Sequence, residues 1–225
     1  MEGFELIDSV RVPGEGLRLG LYKRGAEFSL RINNTELMDS VVHESEDALS
    51  NLACDELAGV ASPAVLIGGL GMGYTLAAAL KRLGPGATVE IVELLGAVIA
   101  WNRGPLGHLA AHPLKDARVT VREADVARVL QTEEEAYDAV LLDVDNGPEG
   151  LVRDSNNWLY SEDGLAAAFT ALRPGGILAV WSSGPDKAFR MRLLKLGFTV
   201  REERTPVEAS RPDTHHIIWI AKRPA

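Results

Sequence analysis

Glycines at alternate positions follow one of the apolar runs of the chain. Residues 65–68 are predicted to form a buried strand, and Gly69, Gly71 and Gly73 come directly before a helical pattern. Glycines allow a tight turn and a close approach of a ligand, and a helix N-terminus offers free N–H groups. A dinucleotide fingerprint would need a glycine at position 74, where a tyrosine stands. The spacing therefore favours a nucleoside ligand without a pyrophosphate, the alternative being a turn that binds nothing.

Acidic side chains follow the next two apolar runs. Glu93 ends the second run, where a carboxylate can accept both hydroxyls of a ribose. Asp125 follows the third run, where it can accept from the exocyclic amine of an adenine. Each residue has a structural alternative, because Glu93 can be a capping or solvent-facing side chain and Asp125 can cap the next helix.

Two aspartates, Asp143 and Asp145, follow the fourth apolar run at residues 139–142. Paired carboxylates at this place can hold a cation, and partial burial can raise the pKa of one of them enough for a general base. The alternative is that one carboxylate only stabilises the turn predicted at residues 146–148.

The elements that must position these residues alternate from residue 64 onward. Strands are predicted at 65–68, 88–92, 119–122, 139–143 and 177–181, with helices at 75–83, 95–102, 126–131 and 165–172. Such alternation indicates parallel strands covered on both faces by crossover helices. After a helix at 186–196, strands at 198–203 and 216–221 are expected to pair as an antiparallel hairpin. The prediction is an α/β fold with a seven-stranded doubly wound sheet, whose ligands bind beyond the carboxyl ends of the strands.

The first 60 residues have a different pattern. Apolar and polar residues alternate at 17–22 and 28–32, which predicts a small antiparallel sheet of three or four strands. A helical pattern follows from about 44 to 57. We therefore expect a small N-terminal β-extension with a linking helix at 1–60 and a nucleoside-binding α/β domain at 61–225.

Charge and composition restrict the classes of ligand and partner that the chain is expected to bind. The 225 residues include 23 lysines and arginines against 32 aspartates and glutamates, a net charge of −9, which disfavours nucleic acid and favours cations such as a polyamine or a sulfonium. With one cysteine, Cys54, no intrachain disulfide or cysteine-rich metal cage can form, and no metal site is predicted. No signal peptide or membrane span is apparent, so a soluble, cytoplasmic protein without a membrane partner is expected.

Taken in order along the chain, these features resemble the spermidine synthase (polyamine aminopropyltransferase) family, within the S-adenosylmethionine-dependent methyltransferase-like fold. The resemblance runs from about residue 33 to 223. It rests on residues 65–69, Glu93, the pair Ala124-Asp125, Asp143-x-Asp145 with Gly147-Pro148, and the L-R-P-G-G sequence at 172–176.

The resemblance implies a transferase that moves an aminopropyl group from decarboxylated S-adenosylmethionine, a co-substrate, to a small amine, with no permanently bound cofactor. Glu93 would hold the ribose, and Asp125 with Ala124 the adenine, beside Gly69, Gly71 and Gly73. Asp143 matches the catalytic aspartate that accepts a proton from the amine, and Asp145 and Trp181 would contact the substrate. The N-terminal domain of the family mediates dimer formation, so a homodimer is a further expectation.

The chain departs from the family pattern in its amine-binding half. Gly71 stands where the family has an aspartate that binds the aminopropyl amine, and Trp181 stands where a glutamine is expected. A Tyr-His pair near the end of the N-terminal domain is also missing. Two alternatives therefore stay open: a methyltransferase that uses S-adenosylmethionine itself, and a nucleoside-binding protein without transferase activity.

Overall fold

The chain forms two β-sheets in the residues that the structure, a computed structural model, describes: 3–14, 16–33, 35–144, 157–206 and 214–225. The smaller sheet is antiparallel, with its strands adjacent in chain order. Its strands are β1 (Glu5–Arg11), β2 (Arg18–Arg24), β3 (Glu27–Ile32) and β4 (Thr35–Asp39). The predicted small antiparallel sheet is confirmed, and it has four strands.

The larger sheet has seven strands in the order β10-β11-β9-β8-β5-β6-β7. The strands are β5 (Ala64–Gly68), β6 (Thr88–Glu93), β7 (Val119–Glu123), β8 (Tyr137–Leu142), β9 (Leu172–Ser182), β10 (Thr199–Pro206) and β11 (His215–Lys222). The first five are parallel, and β10 and β11 form an antiparallel hairpin beside β9. The predicted seven-stranded α/β fold is therefore confirmed.

Six α-helices accompany these strands in the described part of the chain. They are α1 (Glu44–Glu56), α2 (Tyr74–Arg82), α3 (Gly96–Arg103), α4 (Val126–Thr132), α5 (Glu162–Ala171) and α6 (Lys187–Lys195). None of the helices in the described ranges is long and apolar enough to cross a membrane.

Strand order places a switch point between β5 and β8. From β5 the chain builds outward through β6 to β7, then returns to add β8 on the other side of β5. The connections that follow β5 and β8 leave in opposite directions, which opens a crevice at the carboxyl ends of these two strands. Gly69 and Asp143 therefore lie at the same edge of the sheet.

The L-R-P-G-G sequence lies inside β9 instead of before it. Helix α5 ends at Ala171, and β9 begins at once with Leu172, whereas the sequence predicted a strand from 177. Between the pairs Tyr137–Leu172 and Ala139–Ile177 the register with β8 shifts. Proline lacks an N–H and Gly175 has a φ of 80°, so this part of β9 is irregular. Because a proline and two glycines lie within β9, the predicted end of the helix at 172 and the predicted start of the strand at 177 were both wrong.

One apolar core joins the small sheet to one face of the large sheet. It contains Leu21 of β2, Leu49 of α1 and Ile67 of β5, each fully buried. Leu66, the neighbour of Ile67, faces a second core on the opposite face, as alternation along a strand requires. Helix α1 packs against α2 and β9, so it covers the large sheet as well as following the small one. The division of the chain at residue 60 stays a prediction.

Arg118, just before β7, caps the C-terminal end of α2. Its guanidinium donates to the carbonyl oxygens of Leu80 at 3.0 Å and Leu83 at 2.6 Å, and it pairs with Asp116 at 2.8 Å. These carbonyls have no partner within the helix, so the guanidinium satisfies them. Because α2 begins directly after the glycines, the cap that Arg118 forms at the other end of α2 also affects the position of the site.

We expect Arg118→Met to lower the free energy of unfolding by about 1–3 kcal/mol, because half-buried carbonyl groups lose their donors. Arg82→Met on α2 is the control, since Arg82 forms an exposed ion pair with Asp55 that is worth at most about 1 kcal/mol. Urea denaturation of the three proteins measures the difference. An equal loss in both variants would contradict the capping role.

Candidate active site

A cavity of about 220 Å³ opens at the switch point between β5 and β8. The small sheet forms its apolar wall, which includes Leu19, Leu30, Ile32, Leu37 and Met38. The opposite wall comes from the loops after β5, β6, β7 and β8. The cavity therefore lies between the two sheets, and neither sheet encloses it alone.

Most of the residues singled out in the sequence line this cavity. They are Gly69, Gly71, Glu93, Ala124, Asp125, Asp143 and Trp181. Gly73, the residue directly before α2, is not among the lining residues. A β-carbon there would point at Asn102 and Pro113 instead of into the cavity. Asp145 and the turn predicted at 146–148 lie outside the described residues.

Gly69, the residue after β5, packs against the backbone of Asp143, the residue after β8. Its φ is +90°, and a β-carbon there would lie 2.3 Å from the carbonyl oxygen of Asp143. Gly71 has a φ of +50°, and Asn102 donates to its carbonyl oxygen at 2.8 Å. Only glycine satisfies both the backbone conformation and the close approach at position 69.

Glu93 holds the glycine loop in place from the end of β6. One carboxylate oxygen accepts the N–H of Leu70 at 3.0 Å, and the other accepts the N–H of Leu95 at 2.9 Å. The side chain is buried, with 9% of its surface exposed. A carboxylate has about four acceptor sites in all, so a glutamate that holds a loop with two of them can also accept from a ligand hydroxyl.

Asp125 caps α4, which is the structural alternative that the sequence predicted. Its Oδ1 accepts the N–H of Ala127 at 2.9 Å. Next to it, the N–H of Ala124 donates to the carbonyl oxygen of Glu93 at 3.0 Å. The cap does not remove Asp125 from the cavity, which it lines together with Ala124.

Asp143 directly follows β8 and is tied to both neighbouring elements. Its N–H donates to the carbonyl oxygen of Gly68 at 3.0 Å, and its Oδ2 accepts the hydroxyl of Thr75 on α2. Burial raises the pKa of Asp143 above its ordinary value, and the bond from Thr75 opposes part of that rise. No role was predicted for Thr75 from the sequence, although its place in the first turn after the glycines indicates that it lies near the site.

Glu46 is a fourth carboxylate of the cavity, and no role in the site was predicted for it from the sequence. It lies in the first turn of α1. Burial, and then the charge of Asp143, raise the pKa of Glu46 from 4.5 to about 7. Glu46 precedes the buried Leu49 by three residues, so the helical phase could have placed it on the buried face.

The charged groups of the cavity all have the same sign. Among the described residues that line it, the ionisable side chains near neutral pH are the carboxylates of Glu46, Glu93, Asp125 and Asp143, with no lysine, arginine or histidine. A cationic ligand would compensate these charges, and an anionic group would find no partner in this lining.

The sequence itself then places the chain among known proteins. Residues 58–187, more than half of the chain, match the family model described as the spermine/spermidine synthase domain. The chain belongs to the spermine/spermidine synthase family. The resemblance in the sequence is thereby confirmed, and so is the transferase class that it implied.

Solved structures of two spermidine synthases and of a methyltransferase share the fold. Spermidine synthase from Thermotoga maritima superposes with a TM-score of 0.77 at 17% identity, over 97% of this chain and 72% of that one. A spermidine synthase in complex with the transition-state analogue AdoDATO gives 0.75, with the same identity and coverage. A Burkholderia thailandensis 1,6-didemethyltoxoflavin-N1-methyltransferase gives 0.55 at 19% identity, over 80% of this chain and 79% of that one. No curated protein matches the chain in sequence.

Two departures from the spermidine synthase pattern are visible in the cavity. A β-carbon on Gly71 would lie 3.0 Å from the sulfur of Met38, so a thioether covers the position that carries an aspartate in the family. Trp181 lies on β9 with its ring centroid 4.5 Å from that of His216. Within the described part of the chain, the buried Nε1 of Trp181 has no hydrogen-bond partner. This end of the cavity is more apolar than the family pattern implies.

Alanine at the two loop glycines should have unequal effects. We expect Gly71→Ala to cost about 1–2 kcal/mol from the left-handed backbone alone, because the flexible end of Met38 can move. Gly69→Ala should cost about 2–5 kcal/mol, because the new methyl group also overlaps the Asp143 carbonyl oxygen. Thermal unfolding measures both, and equal losses would show that the close approach is unimportant.

Proposed function

We propose that this chain transfers an aminopropyl group from decarboxylated S-adenosylmethionine to a small amine. The observation that carries the proposal is the all-acidic charged lining of the cavity, in a chain that belongs to the spermine/spermidine synthase family. The donor supplies a sulfonium and an ammonium group, and the acceptor is itself a cation near neutral pH. All three charges suit a cavity lined by carboxylates.

The same lining favours the decarboxylated donor over S-adenosylmethionine. The two molecules differ by one carboxylate, which would enter a cavity whose described lining offers it no cationic side chain. Two unit charges about 4 Å apart interact by about 1 kcal/mol in water and by about 4 kcal/mol at an effective dielectric of about 20. Repulsion of that size is enough to select one donor.

The nucleoside end of the donor would lie along the loops after β5, β6 and β7. Glu93 accepts hydrogen bonds from the ribose hydroxyls, and Asp125 with Ala124 contacts the adenine. Gly69 and Gly71 permit the backbone to approach the ligand. The bonds that Glu93 and Asp125 make to the backbone hold both carboxylates in fixed orientations before the ligand arrives.

Asp143 would accept the proton of the attacking amine. An alkylamine has a pKa of about 10, so it arrives protonated and cannot attack until the proton is removed. The freed nitrogen attacks the aminopropyl carbon beside the sulfonium, the carbon–sulfur bond breaks, and sulfur keeps the electron pair. The products are the aminopropylated amine and 5′-methylthioadenosine, and the proton resides on Asp143. The raised pKa of Asp143 brings it closer to that of the amine, and positioning of both substrates supplies much of the rate.

Product analysis tests the proposal. The protein is incubated with either donor and a mixture of alkyl diamines and polyamines, and the nucleoside product is identified by mass spectrometry. We expect 5′-methylthioadenosine from the decarboxylated donor. S-adenosylhomocysteine from S-adenosylmethionine would establish methyl transfer instead. The Met38 thioether, which covers Gly71 where the family has an aspartate, is compatible with that outcome. Absence of turnover with both donors would reject the transferase proposal.

Asp143→Asn should lower turnover about a hundredfold or more, because the amide cannot accept the proton. Affinity for the donor should change little, since Glu93 and Asp125 remain. Asp163→Asn, an exposed aspartate of α5, is the matched control. An unchanged rate in Asp143→Asn would remove Asp143 from the mechanism.

A further inference from the structure

We propose that Glu46 is an acceptor-binding residue, and that the reacting ammonium of the amine is held between Glu46 on α1 and Asp143 after β8. Asp143 takes the proton, whereas Glu46 keeps its charge and binds the substrate. This inference rests on the proposed function and assigns a determinant of acceptor binding within the same cavity.

A chain of contacts brings the two carboxylates to one place. Glu46 and Ser50 lie one turn apart on α1 and therefore on the same face of the helix. The Ser50 hydroxyl donates to the carbonyl oxygen of Thr75 at 2.6 Å, and the Thr75 hydroxyl donates to Asp143. The face of α1 that carries Glu46 thus contacts the residue that orients Asp143.

The surroundings of Glu46 leave its charge available to a ligand. Ser45 donates to one carboxylate oxygen at 2.6 Å, and no lysine, arginine or histidine is present among the described residues that line the cavity. Burial, and then the charge of Asp143, raise the pKa of Glu46 to about 7, as expected where no cationic side chain faces a carboxylate. An entering ammonium supplies the missing positive charge.

Charge balance explains why a second carboxylate is needed. The acceptor enters beside a donor that already carries a sulfonium and an ammonium, and like charges at short range repel. Glu93 and Asp125 lie with the nucleoside, which leaves Asp143 for the attacking nitrogen. Glu46 adds a further negative charge at the end of the cavity where Asp143 lies. The proposed amine-binding end of the cavity therefore holds a carboxylate pair, Glu46 and Asp143.

Steady-state kinetics with Glu46→Gln tests the inference, since glutamine keeps the shape and removes the charge. We expect the KM for the amine to rise at least tenfold, with kcat changed less than about threefold and the Kd for the donor less than twofold. Glu46→Asp should recover part of the amine affinity, because the charge returns on a shorter side chain. Glu44→Gln, an exposed residue of the same helical turn, is the control and should leave all three constants unchanged.

The outcomes separate the inference from the proposed function. If the wild-type protein turns over and Glu46→Gln has the amine KM of Glu44→Gln, Glu46 is not an acceptor-binding residue and the inference is overturned. If Glu46→Gln weakens the donor and the amine equally, its effect is general and the inference also fails. If the wild-type protein itself produces no 5′-methylthioadenosine, the proposed function fails first. Thermal unfolding at pH 8 shows whether the Glu46→Gln variant is folded. The unfolding midpoint of the variant should not fall below that of the wild type, because an amide replaces a carboxylate that is largely removed from water.

Discussion

The close approach of Gly69 to the backbone of Asp143 is the constraint on which the site depends. It brings the ends of β5 and β8 together at the switch point, where the sheet opens toward ligands. From this junction, the hydrogen bond of Thr75 fixes Asp143 on one side, and the bonds of Glu93 fix the glycine loop on the other. Hydrogen bonds within the protein orient the carboxylates of Glu93, Asp125 and Asp143 without a ligand. Catalysis by positioning requires such preorganisation.

Four carboxylates around one partly apolar cavity are unfavourable for folding and useful for binding cations. Burial raises the pKa of Glu46 and of Asp143, and the charge of Asp143 raises the pKa of Glu46 further. A protein bears such a cost where function requires it, and perturbed carboxylates in a cleft are accordingly a mark of functional sites. The fold is that of the family, and under the proposed function the loops after β5, β6 and β7 would hold the nucleoside. The proposed amine end departs from the family pattern at Gly71, which Met38 covers, and at Trp181 on β9.

The parallel sheet and the residues at its carboxyl edge could be predicted from the sequence, because both depend on local patterns. Buried parallel strands are continuous apolar runs, and the residue that follows each run lies at the ligand edge whatever the rest of the chain does. Contacts between distant segments carry no such pattern. Nothing near Gly71 indicates that Met38 covers it. Local patterns place Thr75 in the first turn of α2 and Glu46 on the buried face of α1, but they do not indicate that either residue lies beside Asp143. The irregular start of β9 was missed for a similar reason, since a proline and two glycines ordinarily predict the absence of a strand.

The central claim is that the cavity selects a donor by charge, and titration calorimetry with the two donors tests it most directly. S-adenosylmethionine and its decarboxylated form share the nucleoside and the sulfonium, so a difference in Kd reports the single carboxylate. The account predicts at least tenfold tighter binding of the decarboxylated donor, a difference of about 1.4 kcal/mol or more. The preference should weaken as salt is raised, because the selection is electrostatic. Equal affinities, or tighter binding of S-adenosylmethionine, would contradict it.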